Sequence, residues 1–361
     1  MQVAEQEFDH LGLLNPAQRL AAEYGEQREG HGFRAGPLLV IAGAGTGKTM
    51  TLAHRVAHLI IEGVNPERIL LLTFTRRASQ EMTRRVDSIV RAAMRDATPL
   101  PAGGLPWSGT FHSIANRLLR RFARNLGLDP GFSVLDRGDS ADMIDVVRHE
   151  QKLTRTSRRF PKKDTCLAIY SRCVNTQRPL AETLDKTYPW CADWTDELTE
   201  LFRHYVQRKQ QSQSLDYDDL LLYWSHLVAE PEFAEEIGSW FDHVLVDEYQ
   251  DTNLVQAQIL NALKPDGSGV TVVGDDAQSI YSFRAADVEN ILGFPDQYMP
   301  SAKVITLEQN YRSTQPLLDS ANCLIAESER QYRKNLYSER QDGGKPRYIT
   351  VEDGDAEAEY V

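Results

Sequence analysis

Thirteen residues, Pro37 to Thr49 with the sequence PLLVIAGAGTGKT, constrain this chain more than any other stretch. Leu38 to Ala42 form an unbroken apolar run, which predicts a strand buried on both faces. A Gly-rich turn follows through Gly43, Ala44, Gly45, Thr46 and Gly47, ending in Lys48 and Thr49. A helix is then predicted from Thr49 to about Ile61, with Leu52, Val56, Leu59 and Ile60 along one side. Strand, loop and helix in this order are the setting of a phosphate-binding loop. Glycines let backbone N–H groups curl around a phosphate, and the helix N-terminus adds partial positive charge. In this reading Lys48 reaches the β- and γ-phosphates, and the Thr49 hydroxyl ligates Mg²⁺. One departure is visible: the usual pattern opens with Gly, and here that position is Ala42. The plain alternative is a Gly-rich connection with Lys48 on the surface.

At 361 residues the length favours two or three domains. No apolar run approaches the roughly 20 residues that a membrane span needs, and the N-terminus MQVAEQEFDH lacks a signal-peptide shape. The cytoplasm is therefore the expected compartment. Cys166, Cys173, Cys191 and Cys323 show no Cys-x-x-Cys spacing, so reduced core thiols are expected rather than zinc ligands or disulfides. A net charge of −12 lacks the overall basic footprint of a nucleic-acid binder, so any such surface has to be gathered locally.

Along the chain, LNPAQRLAA (14–22) opens a helix with Asn15 as N-cap and Pro16 at its first position. Gln18 falls in the first turn. It is either an ordinary polar residue or an amide able to pair with adenine. Residues 25–36 and 96–108 read as loops. Ile69 to Phe74 is a second buried strand, followed by a helix from about Arg76 to Arg91. Between them, Phe74 and Thr75 stand beside Arg76 and Arg77 at a strand's carboxyl end, where parallel sheets bind ligands. Phe74 either stacks a base or fills the core. Gly109-Thr110-Phe111-His112-Ser113 leads into a helix on which Arg117, Arg120, Arg121 and Arg124 share a face. A second basic group comprises Arg155, Arg158, Arg159, Lys162 and Lys163. Both are either solvated faces or local phosphate-tracking surfaces.

Residues 115–215 read as mainly helical, including a polar helix over about 194–211. They interrupt the α/β alternation and so predict an inserted helical subdomain. The α/β pattern resumes after Asp216-Tyr217-Asp218-Asp219-Leu220. Val244 to Val246 is a third strand, ending in Asp247 and Glu248. In a nucleotide-binding sheet, an acidic residue there holds Mg²⁺ and its neighbour deprotonates the attacking water. Val270 to Val273 is a fourth strand, and the loop after it carries Gln278, within reach of a γ-phosphate, and Tyr281, Phe283 and Arg284, whose planar groups suit bases. Val304 to Leu307 is a fifth strand, Gln309 to Ser313 leads into another helix, and Lys345 to Val351 is a further strand candidate. The acidic end, Asp355 to Val361, reads as a helix start without a C-terminal cap, so a fragment ending within a helix is expected.

The ordered set Leu14–Gln18, AGAGTGKT (42–49), TFTRRA (73–78), GTFHS (109–113), DYDDLL (216–221), VDEYQDTN (246–253), VGDDAQSIYSFRAAD (273–287) and LEQNYRS (307–313) resembles superfamily-one DNA helicases of the UvrD/Rep/PcrA type. The resemblance implies an α/β, RecA-like parallel sheet of the P-loop NTPase kind with an inserted all-helical subdomain. The motor domain would occupy 1–114 and 216–300, the insertion 115–215, and the start of a second RecA-like domain 301–361. It also implies ATP-driven, 3′-to-5′ movement on single-stranded DNA or at duplex–single-strand junctions, in DNA repair or replication and alongside proteins of those processes, with ATP and Mg²⁺ as cofactors.

Carried over residue by residue, Gln18 would read adenine and Tyr311 would stack on it. Lys48 and Thr49 would hold phosphate and Mg²⁺, Asp247 would hold Mg²⁺, and Glu248 would be the catalytic base. Gln278 would sense the γ-phosphate, and Arg312 would contact it. Phe74, Thr75, Phe111, His112, Tyr281, Phe283 and Arg284 would line the DNA path. Phe283 stands where many relatives have Trp, and Met50 stands where a basic residue is frequent. The family's later motifs do not occur, which also points to an N-terminal fragment. Two alternatives remain: the motor part of a RecB-like helicase–nuclease subunit, or a nucleotide-gated DNA-binding module without unwinding.

Overall fold

A computed structural model describes residues 9–28, 32–94, 104–153 and 159–361. Arg155 and Arg158 of the second basic group lie outside these residues, as do parts of the two expected loops.

Six strands form one all-parallel sheet: β1 (Leu38–Ala42), β2 (Ile69–Thr73), β3 (Trp107–Thr110), β4 (His243–Val246), β5 (Val270–Gly274) and β6 (Lys303–Leu307). Their spatial order is β6-β1-β5-β4-β2-β3. Every residue of β1, β2, β4 and β5 is buried, as their apolar runs predict. The pleat sends alternate side chains to two cores. Leu39, Ile41, Leu70, Leu72, Val244, Val246 and Val272 enter one. Leu38, Val40, Ala42, Ile69, Leu71, Leu245 and Val273 enter the other. Truncating such a side chain, Leu71→Ala for example, costs about 2–5 kcal/mol.

Helices cover both faces. On one, α1 (Pro16–Glu23), α2 (Lys48–Ile61) and α3 (Arg76–Ala93) pack together. On the other lie α4 (Phe111–Arg121) and, further along the chain, α9 (Tyr217–Ala229), α10 (Pro231–Ser239) and α11 (Leu254–Leu263). Between these, α5 (Arg137–Glu150), α6 (Lys163–Thr176), α7 (Leu180–Thr187) and α8 (Thr195–Gln211) build a separate core from Ala141 to Tyr205. The chain enters and leaves this helical unit through a two-residue parallel pair, Ser133–Val134 against Ser214–Leu215. After β5 come α12 (Glu289–Leu292), β6, α13 (Gln315–Ala326) and α14 (Gly354–Tyr360).

Several expectations change. Ala115, Leu118, Leu119 and Phe122 pack in the core beneath the sheet, so the separate helical core begins later than residue 115. Strand β6 pairs in register with β1, so the first sheet continues past the expected boundary at 301. Residues 25–36 are not simply a loop: Glu26–Arg28 pairs antiparallel with Gly32–Arg34. Trp107–Thr110, expected in a loop or leading directly into a helix, is an edge strand. Among the described residues Lys345 to Val351 has no partner strand, and it is irregular. Cys323 is exposed and not a core thiol, while Cys166 and Cys191 are buried.

Candidate functional site

The carboxyl ends of β1, β4 and β5 open on one side of the sheet. From β1 the chain turns through Gly43–Gly47 into α2. Gly47 is the N-cap at φ +86 and supplies no side chain to the first turn, leaving those N–H groups as donors for an anion. A Cβ at Gly47 would fall 2.6 Å from Gln18 Nε2, so glycine is needed here for both φ and space. Thr46 is buried, its Oγ1 donating to Gly43 O at 2.8 Å. Ala42 is fully buried in the strand and does not face the cavity. The residue type at that position therefore answers to packing.

Gly43, Ala44, Gly45, Gly47, Lys48, Thr49, Glu248, Gln278, Tyr311 and Arg312 line one open cavity of about 550 Å³. Lys48 crosses it: Nζ lies 2.8 Å from Glu248 Oε2. Glu248 adopts the left-handed region at φ +52, uncommon for a residue with a Cβ, and its Oε2 also accepts from Gln250 Nε2 at 2.9 Å. Asp247 is buried beneath, and its Oδ1 accepts the Glu248 N–H at 3.1 Å. Burial, reinforced by the charge of Glu248 and opposed by Lys48, pushes the Asp247 carboxyl up to about 7. A buried carboxyl under that pressure, below a cavity that Thr49 lines, fits a magnesium ion, which takes few protein ligands and completes its shell with phosphate and water.

Gln18 sits behind the loop. Its Oε1 accepts the Asn15 N–H at 3.0 Å in a capping box, and its Nε2 donates to Thr46 O at 2.9 Å. Both ends of the amide expected to read adenine are thus engaged with the chain itself. Tyr311 borders the cavity, its backbone N–H donating to Gly45 O and its hydroxyl accepting from Asn15 Nδ2, both at 2.9 Å. Two lining residues, Met50 and Arg85, had no role from the sequence. Arg85 is one of several basic residues on α3, and nothing in the spacing distinguishes it from Arg84 or Arg91.

Beyond Gln278, the same loop carries an aromatic ladder. Phe74 lies 4.9 Å from Tyr281, and Tyr281 lies 5.7 Å from Phe283. The Arg284 guanidinium stands 5.3 and 5.5 Å from the Tyr281 and Phe283 rings. Phe283 is 68% exposed. Thr75 caps α3, its Oγ1 accepting the Ala78 N–H at 3.0 Å.

Phe111 corrects an expectation. It is 5% exposed and packs against Trp224 at 6.1 Å, so it offers no face to a base. His112 meets Tyr217 edge-on, and burial pushes its pKa down to about 4. The arginine row is exposed, but three of its guanidiniums lie on aromatic rings of the chain itself: Arg117 3.7 Å from the Trp107 ring, Arg120 4.4 Å from Phe132 and Arg121 4.5 Å from Trp240.

The acidic motif at 216–221, given no role by the sequence, docks the helical unit. Lys209 Nζ on α8 lies 2.7 Å from Asp216 and 2.6 Å from Asp219, all three buried. Asn175 on α6 donates to Asp218 at 2.7 Å and accepts from Asn253 at 2.6 Å.

This arrangement defines an α/β protein with a phosphate-binding loop at the carboxyl edge of a parallel sheet. Residues 24–299 match the UvrD/REP helicase N-terminal domain, and residues 305–361 match the UvrD-like helicase C-terminal domain. The chain belongs to the UvrD/REP helicase family. It is 36% identical over 353 residues to the ATP-dependent DNA helicase PcrA of Bacillus subtilis (strain 168), covering 97% of this chain and 44% of that protein. The protein of the same name from Leuconostoc citreum is 35% identical over 332 residues, 90% of this chain and 42% of the relative. The chain thus spans less than half the length of these relatives. Among the described residues, no helix is long and apolar enough to cross a membrane.

Proposed function

We propose that this chain carries the ATP-binding motor half of a helicase that moves 3′-to-5′ on single-stranded DNA, in DNA repair or replication. One observation carries the reading: a single loop joins the cavity-lining Gln278 to the ladder of Tyr281, Phe283 and Arg284. A change at the γ-phosphate therefore has a short covalent route to groups that can stack bases.

In this reading ATP enters the cavity with its phosphates on the N–H groups of the loop and the start of α2. Lys48 exchanges Glu248 for the β- and γ-phosphates. Thr49 and Asp247 would hold Mg²⁺, which supplies charge neutralisation when bound. Glu248, released from Lys48, accepts a proton from water as the water oxygen bonds to the γ-phosphorus. The bond from that phosphorus to the β,γ-bridging oxygen breaks, and ADP leaves with its electron pair. Gln278 and Arg312 contact the transferred group. Tyr311 provides a face for adenine, and Gln18 reads its edge when its amide turns from Thr46. Phe74, Thr75, Tyr281, Phe283 and Arg284 form the DNA track, with half-buried His112 at its margin.

The test is the affinity of a labelled oligo(dT) strand with ADP and with a non-hydrolysable ATP analogue. The reading requires the two nucleotides to give different affinities. Equal affinities in both states would reject it.

A further inference from the structure

After α13 the chain returns alongside the elements that carry the site as residues 332–338. Tyr337 N–H donates to Glu308 O at 3.1 Å, and Asn310 N–H donates to Tyr337 O at 2.7 Å. Leu336 packs against the Gly-rich loop, since a Cβ at Gly43 would fall 2.7 Å from its Cδ2. This return inserts Lys334 beneath the loop that follows β5. Its Nζ lies 2.7 Å from Asp275 Oδ1 and 2.6 Å from Asp276 Oδ1, and all three side chains are 3–4% exposed. Tyr332 N–H adds a bond to Asp276 Oδ2 at 3.1 Å.

Two adjacent carboxylates this deep need a cation, and no solvent is available to replace it. Asp275 also reaches into the site. Asp275 Oδ2 accepts from Gln278 Nε2 at 2.6 Å, and its Oδ1 accepts the Ala277 N–H at 3.1 Å. Asp275 N–H donates to Gln250 Oε1 at 2.9 Å, and Gln250 Nε2 donates to Glu248 Oε2 at 2.9 Å. An unbroken polar chain therefore runs from Lys334 through Asp275 to Gln278 on one branch, and through Gln250 to Glu248 on the other.

We propose that Lys334 is a positioning residue for γ-phosphate recognition. By pinning Asp275 and Asp276 it fixes where Gln278 and Glu248 face the cavity. The inference rests on the nucleotide reading given above. It makes a distinct prediction: the Lys334 ammonium matters for a triphosphate and not for a diphosphate, because Gln278 serves only the third phosphate.

Fluorescent N-methylanthraniloyl derivatives of ADP and of a non-hydrolysable ATP analogue, titrated into the chain, separate the possibilities. Wild type should bind both, and the triphosphate more tightly. Lys334→Gln should weaken the triphosphate about tenfold and leave ADP within about twofold, the scale of one charge-assisted hydrogen bond. Lys334→Arg should restore most of the affinity. Gln278→Ala should reproduce the weakening, and adding Lys334→Gln to Gln278→Ala should weaken the triphosphate much less than Lys334→Gln alone. Because Lys334→Gln leaves two unpaired carboxylates, the pair Lys334→Gln/Asp276→Asn restores the net charge and should show the same selective weakening. Equal weakening of both nucleotides, or an unchanged ratio in a folded Lys334 variant, overturns the inference while the nucleotide reading stands. Failure of wild type to bind either nucleotide overturns both.

Discussion

Lys48 Nζ and Glu248 Oε2 meet at 2.8 Å across the carboxyl edge of the sheet, although 200 residues and strand β5 separate their strands. The lysine expected to hold phosphate is thus paired with the carboxylate expected to activate water. Each occupies the place the other's ligand would take.

That pairing predicts opposite effects on binding and chemistry in one variant. Glu248→Gln removes the competing charge from Lys48, so ATP-analogue affinity should rise several-fold. Loss of the base should lower ATP hydrolysis by about 10²–10⁴-fold. Equilibrium titration and single-turnover hydrolysis measure the two separately. A variant that loses affinity would mean that Glu248 supports the nucleotide rather than competing with it.

The strands that carry these residues were legible because β1, β2, β4 and β5 are buried on both faces and read as apolar runs. Strand β3, Trp-Ser-Gly-Thr, is only half buried at the sheet edge and has no such run. Residues 345–351 have the composition of a strand but find no partner among the described residues. Phe111 shows a different limit: sequence placed it at the start of a helix beside the site, but adjacency does not say whether a first-turn side chain points to solvent or to Trp224. The Lys334 cluster was illegible because its members lie 58 and 59 residues apart, and each alone is an ordinary charge.

The buried ion cluster at the base of the helical unit should be a major source of stability. Lys209→Met leaves Asp216 and Asp219 facing each other, and burial with the Asp216 charge already pushes Asp219 up to about 6. The expected cost is about 3–5 kcal/mol by denaturant titration. A cost below about 1 kcal/mol would mean that the aspartates find other partners.

Stability should respond to acid through stacked histidines. His10 Nδ1 and His54 Nδ1 lie 3.2 Å apart in stacked rings, so they cannot both carry a proton there, and the His58 ring lies tilted 5.9 Å from His10. Burial, aided by His54 and His58, pushes the His10 pKa down to about 4; Asp9 opposes this and Arg19 adds to it. Burial also lowers His54 and His58. A pKa below the unfolded value of about 6.5 gives a contribution intact above that pH and lost as pH falls towards 4. Raised carboxyls such as Asp219 act in the opposite direction, so the decisive quantity is a difference. Between pH 7.5 and 5, His10→Gln should lose less stability than wild type, by up to one proton's linkage. Parallel losses would remove His10 from the account.

Single-strand DNA binding should depend on the aromatic ladder and not on the arginine row of α4. Tyr281→Ala or Phe283→Ala should weaken oligo(dT) binding by about 1–3 kcal/mol for each stacking ring removed. Neutralising Arg117, Arg120 and Arg121 together should leave the salt dependence of binding unchanged. It should lower stability by about 0.5–1 kcal/mol for each guanidinium taken off its ring. A flatter salt slope in the triple variant would return those arginines to the DNA path.

The most direct measurement is calorimetric titration of a non-hydrolysable ATP analogue into wild type and Lys48→Ala, each with Mg²⁺ and with chelator. Convergence of Lys48, Thr49 and Asp247 on one triphosphate predicts Mg²⁺-dependent binding by wild type, weakened about 10–100-fold in Lys48→Ala. Equal affinity in both proteins, or binding indifferent to Mg²⁺, would contradict a nucleotide site at the end of this sheet.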